Sequence, residues 1–150
     1  CHTCTPLPEM IETLSVGAPS RVLPRGDFVV VVTQLTQETT NLLSANRRAL
    51  MNPGAGLVNI GRAAVVDYDA LVEGLNSGAI GGAVLDVFDP EPLPPESNLW
   101  SQPNLVITPH VSADDGNAYV PLTLDVFFNN MRRLINGEAL ENQVNTTLGY

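Results

Sequence analysis

The sequence reads as an α/β protein: a partial doubly wound parallel sheet with helices laid against it. Two observations carry that reading. Short apolar runs of strand length alternate with helical segments, in the order strand–helix–strand–helix–strand–loop–strand–helix, as parallel α/β sheets do. The clearest run, Phe28-Val29-Val30-Val31-Val32-Thr33, is β-branched and continuous, as in a strand covered on both faces.

Each element has a local reason. Thr5-Pro6-Leu7-Pro8 reads as a turn or helix start, since proline is tolerated in a first turn. Residues 9–16 suit a short helix ended near Gly17, and residues 20–26 a connector. After the strand over 28–33 comes a polar stretch, then a short helix over 42–50. Asn52-Pro53-Gly54-Ala55-Gly56 is turn chemistry. A second strand spans 57–60. Asp67 reads as the N-cap of a helix over 67–75, closed by Asn76-Ser77-Gly78, with acids in the first turn where the helix dipole favours them. A third strand spans 83–88, followed by a proline-rich loop, and a fourth spans 105–108, stopped by Pro109. A long amphipathic helix covers roughly 114–136 and ends at Gly137; Pro121 must lie near its first turn or kink it.

Composition bounds the function. The 150 residues include 44% hydrophobic and 15% charged residues and carry a net charge of −9. That suits one domain with a real core and excludes a disordered chain. Seven basic residues stand against 16 acidic ones, with no basic stripe for a phosphate backbone, so no nucleic-acid partner is expected. All seven are arginines; without lysine there is no Schiff base and no P-loop phosphate transfer. No apolar run approaches the ~20 residues of a membrane span, and no secretory signal is evident. A cytoplasmic location, with no membrane partner, is therefore expected. The chain begins at Cys1, which suggests processing or a piece of a longer protein.

Several motifs compete for the chemistry. Cys1-His2-Thr3-Cys4 has the spacing of a redox dithiol or half a zinc site. A structural zinc site needs four ligands, however, and the only other histidine is His110; no metal is expected. The glycines do not make a dinucleotide fingerprint, because Gly54-Ala55-Gly56 is followed by Asn59 where a third glycine belongs. Arg62 directly follows the second strand, where an arginine can grip a carboxylate through two parallel hydrogen bonds; its plainer reading is a surface residue paired with Asp67 or Asp69. Asp86 lies at the end of the third strand and Glu91 in the loop beyond it, and they could equally be a solvated acidic loop with Asp89 and Glu96. His110 follows the fourth strand behind Pro109, which keeps Thr108 extended. Singly each has a bland account. Together they fall past the same ends of successive strands, where open α/β sheets bind ligands. A carboxylate beside an imidazole orients it and supports its protonated form, which makes a general acid–base.

The blocks Leu57-Val58-Asn59-Ile60-Gly61-Arg62-Ala63-Ala64-Val65-Val66-Asp67, Gly82-Ala83-Val84-Leu85-Asp86-Val87-Phe88-Asp89-Pro90-Glu91-Pro92-Leu93 and Asn104-Leu105-Val106-Ile107-Thr108-Pro109-His110 resemble the D-isomer-specific 2-hydroxyacid dehydrogenases. Leu35-Thr36-Gln37-Glu38-Thr39 is similar to that family's loop after an earlier strand, and the tail from Asn142 to glyoxylate and hydroxypyruvate reductase-like members. The resemblance implies a Rossmann-like fold and hydride transfer between NAD or NADP and a 2-keto or 2-hydroxy acid. It implies that Arg62, Glu91 and His110 are catalytic. Arg62 would hold the substrate carboxylate, His110 would exchange a proton with the carbonyl oxygen, and Glu91 would hold His110. It places Thr33, Gln34, Thr39, Ile60, Gly61, Arg62 and Asp86 along the cofactor, Asp86 at the nicotinamide carboxamide, and suggests a homodimer. The resemblance divides the chain into a partial dinucleotide-binding domain over 1–112, truncated at its amino-terminal side and lacking the glycine-rich turn, and a return helix and tail over 113–150 that go with a missing substrate domain. The chain alone is then expected to be incomplete as a dehydrogenase. Two rival readings are a non-catalytic remnant or interaction module, and a metal or redox module on Cys1 and Cys4.

Overall fold

The computed structural model describes residues 19–147. The Cys1–Cys4 motif, the proline turn at 5–8, the helix expected over 9–16 and the tail end at 148–150 lie outside them. A helical turn α1 (Pro19–Val22) runs into a 3-10 turn (Leu23–Arg25), then β1 (Phe28–Val31), α2 (Ala45–Arg48), β2 (Ala55–Asn59), a 3-10 turn (Ala63–Val65), α3 (Tyr68–Asn76) and β3 (Ile80–Leu85). A further 3-10 turn (Asn98–Ser101), β4 (Leu105–Ile107) and α4 (Tyr119–Asn136) complete the order. The chain divides into two compact units between Pro109 and His110.

In the first unit the four strands form one parallel sheet in the order β1-β2-β3-β4. This is the expected α/β arrangement. Each strand adds on the same side of the one before it. Right-handed crossovers that all travel in one direction lie on one face, so the described crossovers of the first unit cover one face of the sheet. There Leu57, Leu85 and Ile80 pack with Leu71 and Leu75 of α3, and with Leu43, Val65 and Leu99 from the connections. The opposite face carries Phe28, Val30 and Val106, which are 73%, 55% and 56% exposed. The expectation that β1 is covered on both faces is not met among the described residues: exposed Phe28 and Val30 alternate with half-buried Val29 and buried Val31, because no described crossover passes over the second face.

Element boundaries shift for local reasons. The segment expected as connector over 20–26 is helical, and it buries Leu23. β1 stops at Val31, two residues short of the expected end, where its last carbonyl accepts Ile60 N–H at 3.1 Å. The helix expected over 42–50 shrinks to Ala45–Arg48. Leu43 is drawn away into a parallel bridge with Val66, its N–H donating to Val65 O and its carbonyl accepting from Asp67 N–H. β3 begins at Ile80 rather than 83 and ends at Leu85 rather than 88, so Asp86, Val87 and Phe88 lie past the sheet. Gly81 makes the early start possible: a Cβ there would strike the carbonyl of Gly54. The N-cap reading of Asp67 holds, its Oδ1 accepting Ala70 N–H at 3.0 Å.

In the second unit α4 begins at Tyr119, not 114. Asp115 takes up the preceding residues in a turn, its carboxylate accepting the N–H groups of Asn117 and Ala118. Pro121 is therefore the third helical residue, where a missing N–H costs nothing. Gly137 closes the helix at φ +70°, its N–H donating to Leu134 O.

Tyr68, the first residue of α3, ties the helix to the sheet. It donates its hydroxyl to Val87 O at 2.7 Å and accepts from Asn59 Nδ2 at 3.0 Å. Its ring meets Phe88 edge-on, with centroids 6.4 Å apart. Burial first of all pushes this hydroxyl well above the ordinary tyrosine value of 10.0; the Asn59 hydrogen bond pulls it down in part, and the Glu91 carboxylate adds to the rise.

Two outcomes are expected. Gly81→Ala forces a backbone clash and costs about 1–3 kcal/mol, whereas Gly116→Ala, with open space around it, is near neutral; urea midpoints of the two variants test this. Above pH 10 the unfolded chain releases the Tyr68 proton while the folded chain keeps it, so stability falls as pH rises further. Tyr68→Phe removes that part of the alkaline slope, read from urea midpoints across the alkaline range.

Candidate active site

Parallel register gathers the strand ends. Val31 pairs with Asn59, Asn59 with Leu85, and Leu85 with Ile107. The residues after these four positions therefore emerge at one edge of the sheet, the carboxyl edge where α/β sheets place ligands. They are Thr33 and Gln34, Ile60 to Arg62, Asp86 to Glu91, and Thr108 with Pro109.

The turn after β2 is the most tightly held. Gly61 sits against the end of β1, and a Cβ on it would lie 2.8 Å from Thr33 O. Only glycine lets the turn come this close. The N–H of Gly61 donates to Asn59 Oδ1 at 3.1 Å, and Asn59 Nδ2 donates to Arg62 O at 3.1 Å. Asn59 is wholly buried, so its amide clamps this turn from inside. The N–H groups of Ile60 and Gly61 are thus spent within the protein, and the surfaces they leave for a ligand are the Ile60 side chain and the turn's carbonyl edge. Arg62 is exposed, and its Nη1 donates to Gly61 O at 2.7 Å. It pairs with its own turn, not with Asp67 or Asp69.

Asp86 is wholly buried and accepts Thr108 Oγ1 at 2.6 Å, while its N–H donates to Asn59 O at 3.0 Å. It joins the ends of β2, β3 and β4, so it is no part of a solvated acidic loop. Glu91 is exposed, and its Oε1 turns back to accept Phe88 N–H at 2.7 Å. That bond closes the 88–91 loop and fixes the carboxylate near the end of β3. Asp89 and Glu96 are exposed around it.

The β1 side is mixed. Thr33 holds a buried hydroxyl that has no hydrogen-bond partner, a costly arrangement unless a ligand uses it. Gln34 is exposed. Thr39, expected along the cofactor, is buried; its hydroxyl donates to Gln34 O at 2.6 Å and accepts Thr36 N–H at 2.7 Å. Its work is to shape the 34–40 loop. His110 is the first residue of the second unit. It is exposed and has φ +56°, a left-handed backbone that non-glycine residues adopt rarely and that histidine, like asparagine, tolerates better than most.

The order of residues at the strand ends names Arg62, Asp86 and Glu91 but passes over Asn59 and Tyr68, which tie their segments together. The one signal for Asn59 was a polar residue at an inward position of a strand otherwise apolar on that side, and Tyr68, the first residue of a helix, carried none. Among the described residues no group of three or more His, Cys, Asp or Glu could hold a metal ion, and no helix is long and apolar enough to cross a membrane.

Comparison with known proteins points one way. The chain is 45% identical over 125 residues to a glyoxylate/hydroxypyruvate reductase B from Pectobacterium carotovorum, a match that covers 83% of this chain and 38% of that protein. It superposes on a crystal structure of an NADPH-dependent glyoxylate/hydroxypyruvate reductase from Sinorhizobium meliloti, in complex with NADP and sulfate, with a TM-score of 0.88 at 32% identity, over 98% of this chain and 47% of that one. A D-isomer specific 2-hydroxyacid dehydrogenase from Xanthobacter autotrophicus, in complex with NADPH and MES, gives 0.80 at 40% identity, over 89% and 54%. The chain thus spans under half the length of the curated relative. Residues 7–112 match the NAD binding domain of the D-isomer specific 2-hydroxyacid dehydrogenases, and the chain belongs to that family.

Proposed function

We propose that this chain supplies the nicotinamide end of the cofactor site, the carboxylate grip and the acid–base pair of a D-2-hydroxyacid dehydrogenase that reduces a small 2-keto acid such as glyoxylate or hydroxypyruvate. The observation that carries this reading is the gathering of Arg62, Asp86 and Glu91 at the carboxyl ends of adjacent parallel strands, with Thr108 and Pro109 leading from β4 into His110. The glyoxylate/hydroxypyruvate reductase relatives support the reaction class and the substrates.

The residues present fit a nicotinamide cofactor. The buried Thr33 hydroxyl offers an unspent hydrogen bond among the described residues, and Gln34 and Ile60 present exposed side chains at the same edge of the sheet. Either NAD or NADP is compatible, and NADPH is the first to test because two structural relatives were solved with NADP or NADPH. A bound nicotinamide would supply the hydride for the keto carbon in reduction and would accept it in oxidation. The chain's residues do the rest. The planar guanidinium of Arg62 holds the substrate carboxylate through two hydrogen bonds and so orients the keto group. His110 gives its proton to the carbonyl oxygen as that oxygen gains charge, and takes a proton from the hydroxyl in oxidation. Glu91 supports the imidazolium. Asp86 acts through the strand ends that it joins.

With this reading go three further proposals. α4 and the tail belong with a substrate domain; the protein is a homodimer; and it works in the cytoplasm. The uncovered sheet face and the 3–4 spacing of Val120, Leu124, Phe127, Met131 and Leu134 on α4 support packing against further protein.

Two variants test the site. In reduction of glyoxylate with NADPH by the full-length protein, substrate domain included, His110→Asn lowers kcat about 100- to 10,000-fold and leaves NADPH affinity nearly unchanged by titration; activity within a few-fold of the unsubstituted protein removes His110 as proton donor. Arg62→Lys keeps the charge but loses the two-point grip, so KM for glyoxylate rises and kcat falls together. Ordinary kinetics in that variant make Arg62 a surface residue.

A further inference from the structure

The carboxylate grip and the acid–base support are carried on different strands. The Arg62 turn comes after β2, and the Asp86–Glu91 segment after β3. Apart from the backbone ladder, a short chain of side-chain hydrogen bonds runs between them. Asn59 is its centre. Its Oδ1 accepts Gly61 N–H and its Nδ2 donates to Arg62 O, which fixes the turn at both ends. The second Nδ2 proton goes to the Tyr68 hydroxyl at 3.0 Å, and that hydroxyl donates onward to Val87 O at 2.7 Å. Val87 is buried and stands next to Phe88, whose N–H is held by Glu91. The path runs from Arg62 through Asn59, Tyr68 and the 87–88 backbone to Glu91 without a gap, and only its two end residues are exposed.

We propose that the Tyr68 hydroxyl, acting through Asn59, is the positioning residue that sets the Arg62 turn against the Glu91 loop, so that the carboxylate grip and the acid–base support keep one spacing. This deepens the proposed dehydrogenase function and rests on it. The chemistry suits the task. A neutral hydroxyl both accepts and donates, so it can join an amide N–H to a carbonyl, which neither group could do alone. Burial keeps it neutral well into the alkaline range, so the link does not change while the site works. Asn59 has no spare donor: both its protons are used, and its carbonyl oxygen is engaged as well. Removing the hydroxyl leaves an Nδ2 proton and a carbonyl inside the protein unpaired, and that imbalance falls on the turn that carries Arg62. The ring itself is a separate matter, since it packs on Phe88 and survives a change to phenylalanine.

The test is Tyr68→Phe in the protein, beside Arg62→Lys. Steady-state reduction of glyoxylate with NADPH is measured for both, and amide exchange is followed at Gly61 and, as a core reference, at Leu71. The expected result for Tyr68→Phe is a KM for glyoxylate raised about tenfold, equal to about 1.4 kcal/mol, with KM for NADPH within twofold. Exchange at Gly61 quickens while that at Leu71 keeps pace with the parent. A merely structural role would move Leu71 or both KM values together, and that result overturns the proposal. So does an unchanged KM for glyoxylate in Tyr68→Phe when Arg62→Lys raises it; in that case the reading of Arg62 stands and the positioning role falls. If Arg62→Lys itself leaves KM unchanged, the carboxylate grip is wrong and the positioning proposal falls with it.

Discussion

A buried amide cannot be left partly satisfied, and most of this site depends on how the Asn59 amide is satisfied. It sits at the last position of β2, facing the covered side of the sheet, with no exposure at all. Placing such a group in a core is costly unless every polar atom finds a partner. The partners here are the turn after its own strand and the first residue of the next helix. Gly61 then has to lie close against β1, which only a residue without a side chain permits. Arg62 has to leave at the sheet edge, and α3 has to begin where Tyr68 can reach. The geometry of the edge is thus set from inside.

The sheet's one-directional winding is the second constraint. Four strands added in order place every crossover on the same face. That face gains a continuous apolar core, while the other keeps Phe28, Val30 and Val106 in the open. The same winding aligns the carboxyl ends, and so the asymmetry of covering and the gathering of the site have one cause. Asp86 shows the link between them. It lies wholly buried just past β3, takes the Thr108 hydroxyl from beyond β4 and lends its N–H to β2.

Much of this was legible in the residues. The β-branched runs gave the strands, Asp67 gave the helix start, and Gly137 gave the end of α4. The order of strand-end residues also puts Arg62, Asp86 and Glu91 at one edge of the sheet, which the parallel register bears out as a matter of placement. Boundaries were less legible where a tertiary contact outweighed local preference. Leu43 suits a helix, yet bridges to Val66; Gly81 and Gly82 fall outside the strand expected from 83, yet they lie within β3, where the neighbouring backbone comes too close for a side chain. Coverage of β1 was misread because a continuous apolar run states that a strand is apolar on both sides, not that this stretch of chain supplies both covers. The hydrogen bonds by which the Thr39 hydroxyl holds its own loop were not legible either, because they join residues of an irregular segment.

The sequential strand order also bears on how the first unit is made. Each strand after β1 pairs with the strand just before it in the chain, so no pairing waits for a distant segment. Loop closure between successive strands is short and its entropic cost modest. The pairing is sequential rather than local, since each partner lies a whole crossover away, and parallel pairing of this kind is slower to form than a hairpin. The sheet can therefore grow at one edge as the chain emerges, each strand and crossover closing over the last, and the Asn59 amide finds its final partner only when α3 has formed behind β2.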